Sequence, residues 1–302
     1  MSHFIYHPNY ELKWGDHVFP VHKYRLVHDR LVGEGIVRAE EFVEPPGVTD
    51  DELLLVHERG YLDRLEALAD RPLAAYFEFE APINRDVASA VRFATGGTIL
   101  ACELALRDKT AALNLGGGFH HAFRDHGEGF CFINDIAVAL RTMQARGLAR
   151  RLAVVDCDLH QGNGTAAIFA HDPDVFTFSI HQEQLYPMPK QRSTLDVGLD
   201  LYADDATYLG ELERHVPRIL EAHRPELVLY VAGADPYEED QLGDLRLTKE
   251  GLKRRDEFVL GTAKALGIPV AAVLAGGYAR RTEDVVDIHV NTARAIRDLY
   301  TG

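Results

Sequence analysis

Short apolar runs alternate along this chain with longer segments whose apolar residues recur every three or four positions. The runs cover residues 4–6, 111–115, 152–155, 175–180, 227–231 and 270–274, while the helical spacing covers 87–106, 134–146, 206–223 and 249–266. Runs this short and this continuously apolar predict strands buried on both faces, and a helical segment between each pair predicts βαβ units with right-handed crossovers. The expected fold class is α/β, an open parallel β-sheet with helices on both faces. No internal repeat, low-complexity tract or linker interrupts the pattern, so residues 1–302 read as one domain. Residues 181–205, with Pro187 and Pro189 close together, predict a long loop at the mouth of a site, and 40–51 predicts a plain Pro/Gly/acidic connector.

The ends of these runs carry the chemistry. In an open α/β sheet the ligand crevice lies beyond the carboxyl ends of the strands. There stand Asp156, Asp158 and His160 after one run, Asp235 after another, and Gly276-Gly277-Tyr278 after a third. Asp158 and His160 can converge once the chain bends past its strand, and Asp235 completes a three-ligand set. Two carboxylates and an imidazole with open positions suit catalytic zinc or a similar divalent ion better than a closed structural site. Taken alone, Asp-x-Asp-x-His also fits a capped loop.

His120-His121 follows the glycine-rich end at 116–118, which can place two imidazoles over one cavity, one as base toward an attacking water and the other as acid toward a leaving amine. Asp156 and Asn163 are the natural partners of the pair. A carboxylate favours imidazolium and an amide does not, so the two rings can hold different protonation states. Tyr278 offers a phenolic donor to an oxyanion. Isolated histidines such as His57, His171 and His223 read as surface or satisfied core residues.

Composition narrows the picture modestly. Apolar residues make up 46% and charged residues 26%, enough for a sizeable core. The formal charge of −15 disfavours direct nucleic-acid binding and suits cationic ligands. Three cysteines without CxxC spacing argue against a disulfide framework. No apolar run approaches the ~20 residues of a membrane span, and no signal peptide is evident, so a cytoplasmic location is the default expectation.

Together these residues resemble the zinc-dependent histone deacetylase superfamily, with its arginase-deacetylase fold. The blocks that carry the likeness are 114–121 (NLGGGFHH), 127–131 (GEGFC), Asn134-Asp135, 156–165 (DCDLHQGNGT), 178–181 (FSIH), 233–235 (GAD), 240–243 (DQLG) and 276–278 (GGY). His17-Val-Phe-Pro20, Lys23-Tyr24 and Asn163 are most similar to the class IV branch and its bacterial relatives. The resemblance implies zinc on Asp158, His160 and Asp235. It implies His121 as general base with His120 as electrostatic partner, and Tyr278 polarising the scissile carbonyl. Phe130 and Tyr186 would flank an acyl-lysine tunnel, with Gly129 near the substrate amide, Leu242 by the wall and Gly276 on the substrate loop. It further implies potassium held by Asp156, Asp158, His160, Ser179 and Ile180, and a second cation site near Phe169, Asp172 and Val175.

The expected substrates are acylated lysines in proteins or peptides, acetyl or longer. Small acylated amines are the alternative. An acetylpolyamine amidohydrolase would need acidic residues at the mouth, for which Glu78, Glu80, Glu183, Glu238 and Glu239 are candidates. A ureohydrolase would need more aspartates, and a non-catalytic binding homologue would be expected to have lost a ligand, a histidine or the tyrosine.

Overall fold

In a computed structural model, the described residues are 2–15 and 17–300, with the side chains of Pro72, Leu73, Phe77 and Glu78 outside the description. The elements run β1 (His3–Ile5), α1 (Lys23–Gly33), β2 (Phe42–Val43), α2 (Asp50–Leu53), α3 (Arg59–Leu68), α4 (Pro72–Phe79), α5 (Arg85–Asp108), β3 (Ala111–Asn114) and α6 (Asp135–Ala145). They continue β4 (Leu152–Asp156), α7 (Asn163–Phe169), β5 (Val175–Gln182), β6 (Leu195–Leu199), α8 (Asp205–His223), β7 (Leu227–Val231), α9 (Lys249–Ala265), β8 (Val270–Val273) and α10 (Thr282–Tyr300).

The strands form one sheet in the order β2-β1-β3-β8-β7-β4-β5-β6, and every paired neighbour is parallel. All residues of β3, β4, β7 and β8 are buried, as expected of strands covered on both faces. α5 packs on β3, β8 and α6, while α10 packs on β3, α9 and α1, so the apolar runs end up between helical layers. Among the described residues α5 is long and apolar enough to cross a bilayer, but about two thirds of its apolar window is buried inside the protein, which makes it a core helix.

Two sequence expectations need correction. Residues 40–51 are not a plain connector, because Phe42 and Val43 add β2 beside β1 and α2 begins at Asp50, capped by the Thr49 hydroxyl. Residues 181–205 are only partly a loop, because β5 continues to Gln182 and β6 pairs with it from Leu195 to Leu199. Both strands lie at sheet edges, where partial burial weakens the apolar signal.

The four central neighbours β3, β8, β7 and β4 carry the site. Their carboxyl ends lead directly into 116–121, 276–278, 233–235 and 158–160, so one side of the sheet gathers every predicted catalytic segment.

Candidate active site

Local hydrogen bonds explain how the histidine pair is presented. Asn134 caps α6 by accepting from Ala137 N at 2.9 Å, and its amide donates to the Ala122 carbonyl at 2.9 Å. Asp135 accepts from Phe119 N at 2.7 Å and Gly118 N at 3.1 Å, so the start of α6 holds the loop leading to His120 and His121.

Asp158, His160 and Asp235 are brought together as predicted, their ligand atoms all within 4.8 Å of one another and all three residues buried. His160 Nδ1 lies 3.3 Å from Asp158 Oδ1 and 3.4 Å from Asp235 Oδ2. Three backbone amides orient the carboxylates: Leu159 N to Asp235 at 3.0 Å, and His160 N and Gly276 N to Asp158 at 3.0 and 2.9 Å. Among the described residues, buried Asp235 Oδ2 has no hydrogen-bond partner. A buried, unpartnered carboxylate oxygen facing an imidazole and a second carboxylate is an expensive arrangement that a divalent cation would relieve. The donor set therefore fits zinc or a similar ion.

Electrostatics agree. Burial and the neighbouring Asp158 push the Asp235 carboxyl up to about 6. Burial opposes the charge of His160, but the two carboxylates outweigh it and raise the imidazole to about 10. Gly276 also has a steric role, since a Cβ there would stand 2.1 Å from Asp235 Oδ2 and 2.7 Å from Asp158 Oδ2. It lines the cavity, and it is the close approach to both ligands that requires glycine.

The histidine pair is differentiated. His120 Nδ1 is 2.8 Å from Asp156 Oδ2, His121 Nδ1 is 2.6 Å from Asn163 Oδ1, and the two Nε2 atoms are 3.1 Å apart. Burial disfavours charge on His120, yet Asp156 and Asp158 overcome it and raise this imidazole to about 9. His121 meets the same burial and the positive charge of His120 and His160, which outweigh the Asn163 amide and the more remote Asp158, so it is held well below the usual histidine range. The two environments therefore favour charge on His120 and disfavour it on His121.

Tyr278 is fixed through its backbone, its N–H donating to Asp240 at 2.7 Å and its carbonyl accepting from Gln241 Nε2 at 2.8 Å. Among the described residues its hydroxyl has no hydrogen-bond partner, and the ring centroid lies 6.4 Å from that of His160. Burial and the carboxylates of Asp235 and Asp158 push the phenol well above its ordinary range, so it stays protonated as a donor.

The cavity is lined by Phe130, Gly129, His121, His160, Gly276 and Tyr278, with Phe19, Tyr24 and Cys131 behind them. Gly129 and Phe130 both have positive φ, 55° and 66°, and a Cβ at Gly129 would meet the His121 ring at 2.5 Å. Tyr186 does not line this cavity but stands over His121 at 5.0 Å between centroids. Leu242 is partly buried against the core and is also absent from the lining.

Of the residues expected around potassium, Asp156 and Ser179 are register partners on β4 and β5, and Ile180 follows, fully buried. The Ser179 hydroxyl hydrogen-bonds His181 Nδ1 at 2.9 Å. At the second expected cation site, Asp172 already pairs with Arg141, whose guanidinium lies 4.7 Å over the Phe169 ring. Glu80, Glu183, Glu238 and Glu239 are exposed and none lines the cavity, while Glu78 lies outside the described side chains.

The structure adds contacts from residues to which the sequence reading gave no role at the site. Trp14 and His17 pack on Phe130, with ring centroids 6.4 and 4.8 Å away. Lys23 is fully buried and donates to the Ala275 carbonyl, and burial lowers its amine to about 8 against the pull of Asp235, Asp158 and Asp240. Glu128 touches both Tyr186 and Asn163, and Arg255 reaches the backbone of both ligand loops.

Comparison with known proteins agrees with this geometry. The histone deacetylase domain model matches residues 17–293. An uncharacterized protein of Picosynechococcus is 44% identical over 98% of both chains. Histone deacetylase 2 of Arabidopsis thaliana is 31% identical over 93% of this chain and 76% of its own. The crystal structure of a histone deacetylase homologue from Aquifex aeolicus superposes with a TM-score of 0.85, at 24% identity, over 98% of this chain and 84% of that one, which confirms the arginase-deacetylase arrangement. The domain match spans nearly the whole chain and includes every segment at the carboxyl ends of β3, β4, β7 and β8, so the protein belongs to the histone deacetylase family of hydrolases.

Proposed function

We propose that this protein is a zinc-dependent lysine deacylase that hydrolyses the amide of N-acyl-lysine in peptides or proteins. The observation that carries the reading is the opposed environment of His120 and His121 beside Asp158, His160 and Asp235. Those three residues would hold zinc, which when bound supplies Lewis-acid polarisation of the amide carbonyl and acidifies water. His121, neutral and buried, takes the proton of the attacking water. His120 remains an imidazolium through Asp156 and stabilises negative charge at the reaction centre. Tyr278 donates its hydroxyl hydrogen bond to the oxyanion. His121 then delivers its proton to the departing lysine amine, leaving a free ε-amine and a carboxylate. Phe130 and Tyr186 flank the acyl-lysine stem.

The class IV likeness of residues 17–24 and of Asn163 supports medium or long acyl groups as candidates beside acetyl. The in-register pairing of Asp156 with Ser179 supports potassium beneath the site. The acetylpolyamine reading is less favoured because, among the described side chains, none of the candidate glutamates Glu80, Glu183, Glu238 and Glu239 lines the cavity. The test is kcat/KM of zinc-loaded protein on one peptide bearing acetyl-, octanoyl- or myristoyl-lysine, beside N-acetylputrescine. Preference for a peptide is expected and would name the acyl length, whereas preference for the polyamine would overturn the lysine assignment.

A further inference from the structure

Tyr278 follows two glycines, Gly276 and Gly277, and Gly277 stands at φ 145°, where side chains are rarely found. Glycine gives the backbone its widest freedom, so this loop does not hold its tyrosine in place by itself. The side chain does not anchor itself either. The rings of Phe19, Phe130 and His160 stand edge-on to it, with centroids at 5.9, 6.2 and 6.4 Å, and among the described residues its hydroxyl has no hydrogen-bond partner. Such contacts confine the ring without setting how far into the cavity the hydroxyl reaches.

The missing constraint comes from residues 239–241, which run antiparallel beside 278–280. Asp240 pairs with Ala279, the Tyr278 carbonyl accepts from Gln241 N at 3.3 Å, and Arg280 N donates to the Glu239 carbonyl at 3.3 Å. The Asp240 side chain is buried and both its oxygens are used. Oδ1 accepts from Leu242 N at 2.9 Å, two residues on, which is the local turn that aspartate side chains favour. That turn leaves Oδ2 aimed at Tyr278 N, 2.7 Å away.

We propose that Asp240 is the residue that positions the Tyr278 hydroxyl, and that it thereby sets the rate of the reaction without touching the substrate. Gln241 holds the carbonyl side of Tyr278. The N–H side, which joins the tyrosine to its two glycines, is met among the described residues by Asp240 alone. A carboxylate suits the place because it offers an acceptor to its own turn and a second one to Tyr278. The inference rests on Tyr278 being the oxyanion donor of the proposed deacylase.

Two substitutions combined in a cycle test it. D240A is expected to lower kcat of the zinc-loaded protein on an acyl-lysine peptide by about 10- to 100-fold, with KM changed less than about threefold, because a donor displaced by about 1 Å loses much of its hold on transition-state charge. In the Y278F background no hydroxyl is left to position, so there D240A is expected to change kcat less than about twofold. A merely structural role would lower kcat alike in both backgrounds. That result, or D240A with the parental kcat, would overturn the proposal. Should D240A fail to fold, D240L takes its place under the same expectations, since its branched side chain fills the space of the carboxylate without offering an acceptor.

Fluorine NMR of protein carrying 3-fluorotyrosine follows Tyr278 without turnover, its signal being identified by its loss in Y278F. In D240A this signal is expected to shift or broaden while those of tyrosines remote from Asp240 stay in place. A protein that hydrolyses no acyl amine yet shows this change would refute the deacylase reading and leave the role of Asp240 standing. A Tyr278 signal left unmoved in D240A, or movement of all the tyrosine signals together, would overturn the proposal.

Discussion

Nη1 of Arg255 donates to the Gly233 carbonyl at 2.6 Å, two residues before the ligand Asp235. The same nitrogen reaches the Cys157 carbonyl at 3.2 Å, immediately before the ligand Asp158, so one guanidinium ties the backbones of both ligand loops together. Its charge is balanced by Asp256, which is 2.9 Å from Nε and also accepts from Tyr230 and Thr292 at 2.5 Å each. Both side chains of the pair are fully buried. Arg255→Met would leave Asp256 uncompensated and is expected to cost about 3–5 kcal/mol in urea unfolding. Adding Asp256→Leu should recover much of that stability but not zinc affinity in a chelator competition. Equal zinc affinity in the double variant would confine Arg255 to a structural role.

Among the described residues the Tyr278 hydroxyl has no hydrogen-bond partner, and its backbone is held by Asp240 and Gln241, so removing only the oxygen should leave the fold intact. Tyr278→Phe is expected to lower kcat by about 10²–10³ with little change in KM, the pattern of a donor that acts on transition-state charge. Steady-state kinetics on a single acyl-lysine peptide decides it, and a rise in KM alone would move Tyr278 from catalysis to binding.

His57 gives the protein a pH dependence away from the site. Its Nε2 accepts from Asn134 N at 3.0 Å, and burial lowers its imidazole from 6.5 to about 4. Between those values the unfolded chain binds more protons than the folded one, so stability is complete above about pH 6.5 and falls as the pH drops toward 4. This group contributes on the order of a few kcal/mol over that window. His57→Gln keeps an acceptor for Asn134 and should flatten the fall of Tm between pH 6.5 and 4; an unchanged slope would assign it to other groups.

Metal removal should also be felt by the fold. Burial and Asp158 raise the Asp235 carboxyl to about 6 in the metal-free site, so its ionisation costs stability as the pH rises through 6. Bound zinc would relieve that cost, and its gain in Tm is expected to be larger at pH 7.5 than at pH 5.5, where protons compete for Asp235 and His160. Thermal melts with and without chelator at both pH values test this, and an equal gain at each would contradict it.

The central strands and their functional ends were legible because β3, β4, β7 and β8 are buried on both faces and end in glycine, carboxylate or imidazole. β2 and β6 were not, since edge strands of mixed burial carry no continuous apolar run. Asp158, His160 and Asp235 could be predicted from residue type and place. Glu128, Lys23 and Arg255 could not, because their significance lies in what they touch across the fold. Arg255 sits on α9 like any helix-surface arginine until the structure shows it pointing inward, and Glu128 makes its contacts with residues 35 and 58 positions away.

The most direct test of the proposed chemistry is a zinc titration of metal-stripped protein, following amine release from an acyl-lysine peptide. Activity absent without metal and rising linearly to a break at one equivalent of zinc, with Asp235→Ala showing no such rise, is the result expected of a site built on Asp158, His160 and Asp235. Turnover that survives complete stripping, or a titration that Asp235→Ala leaves unchanged, would contradict it.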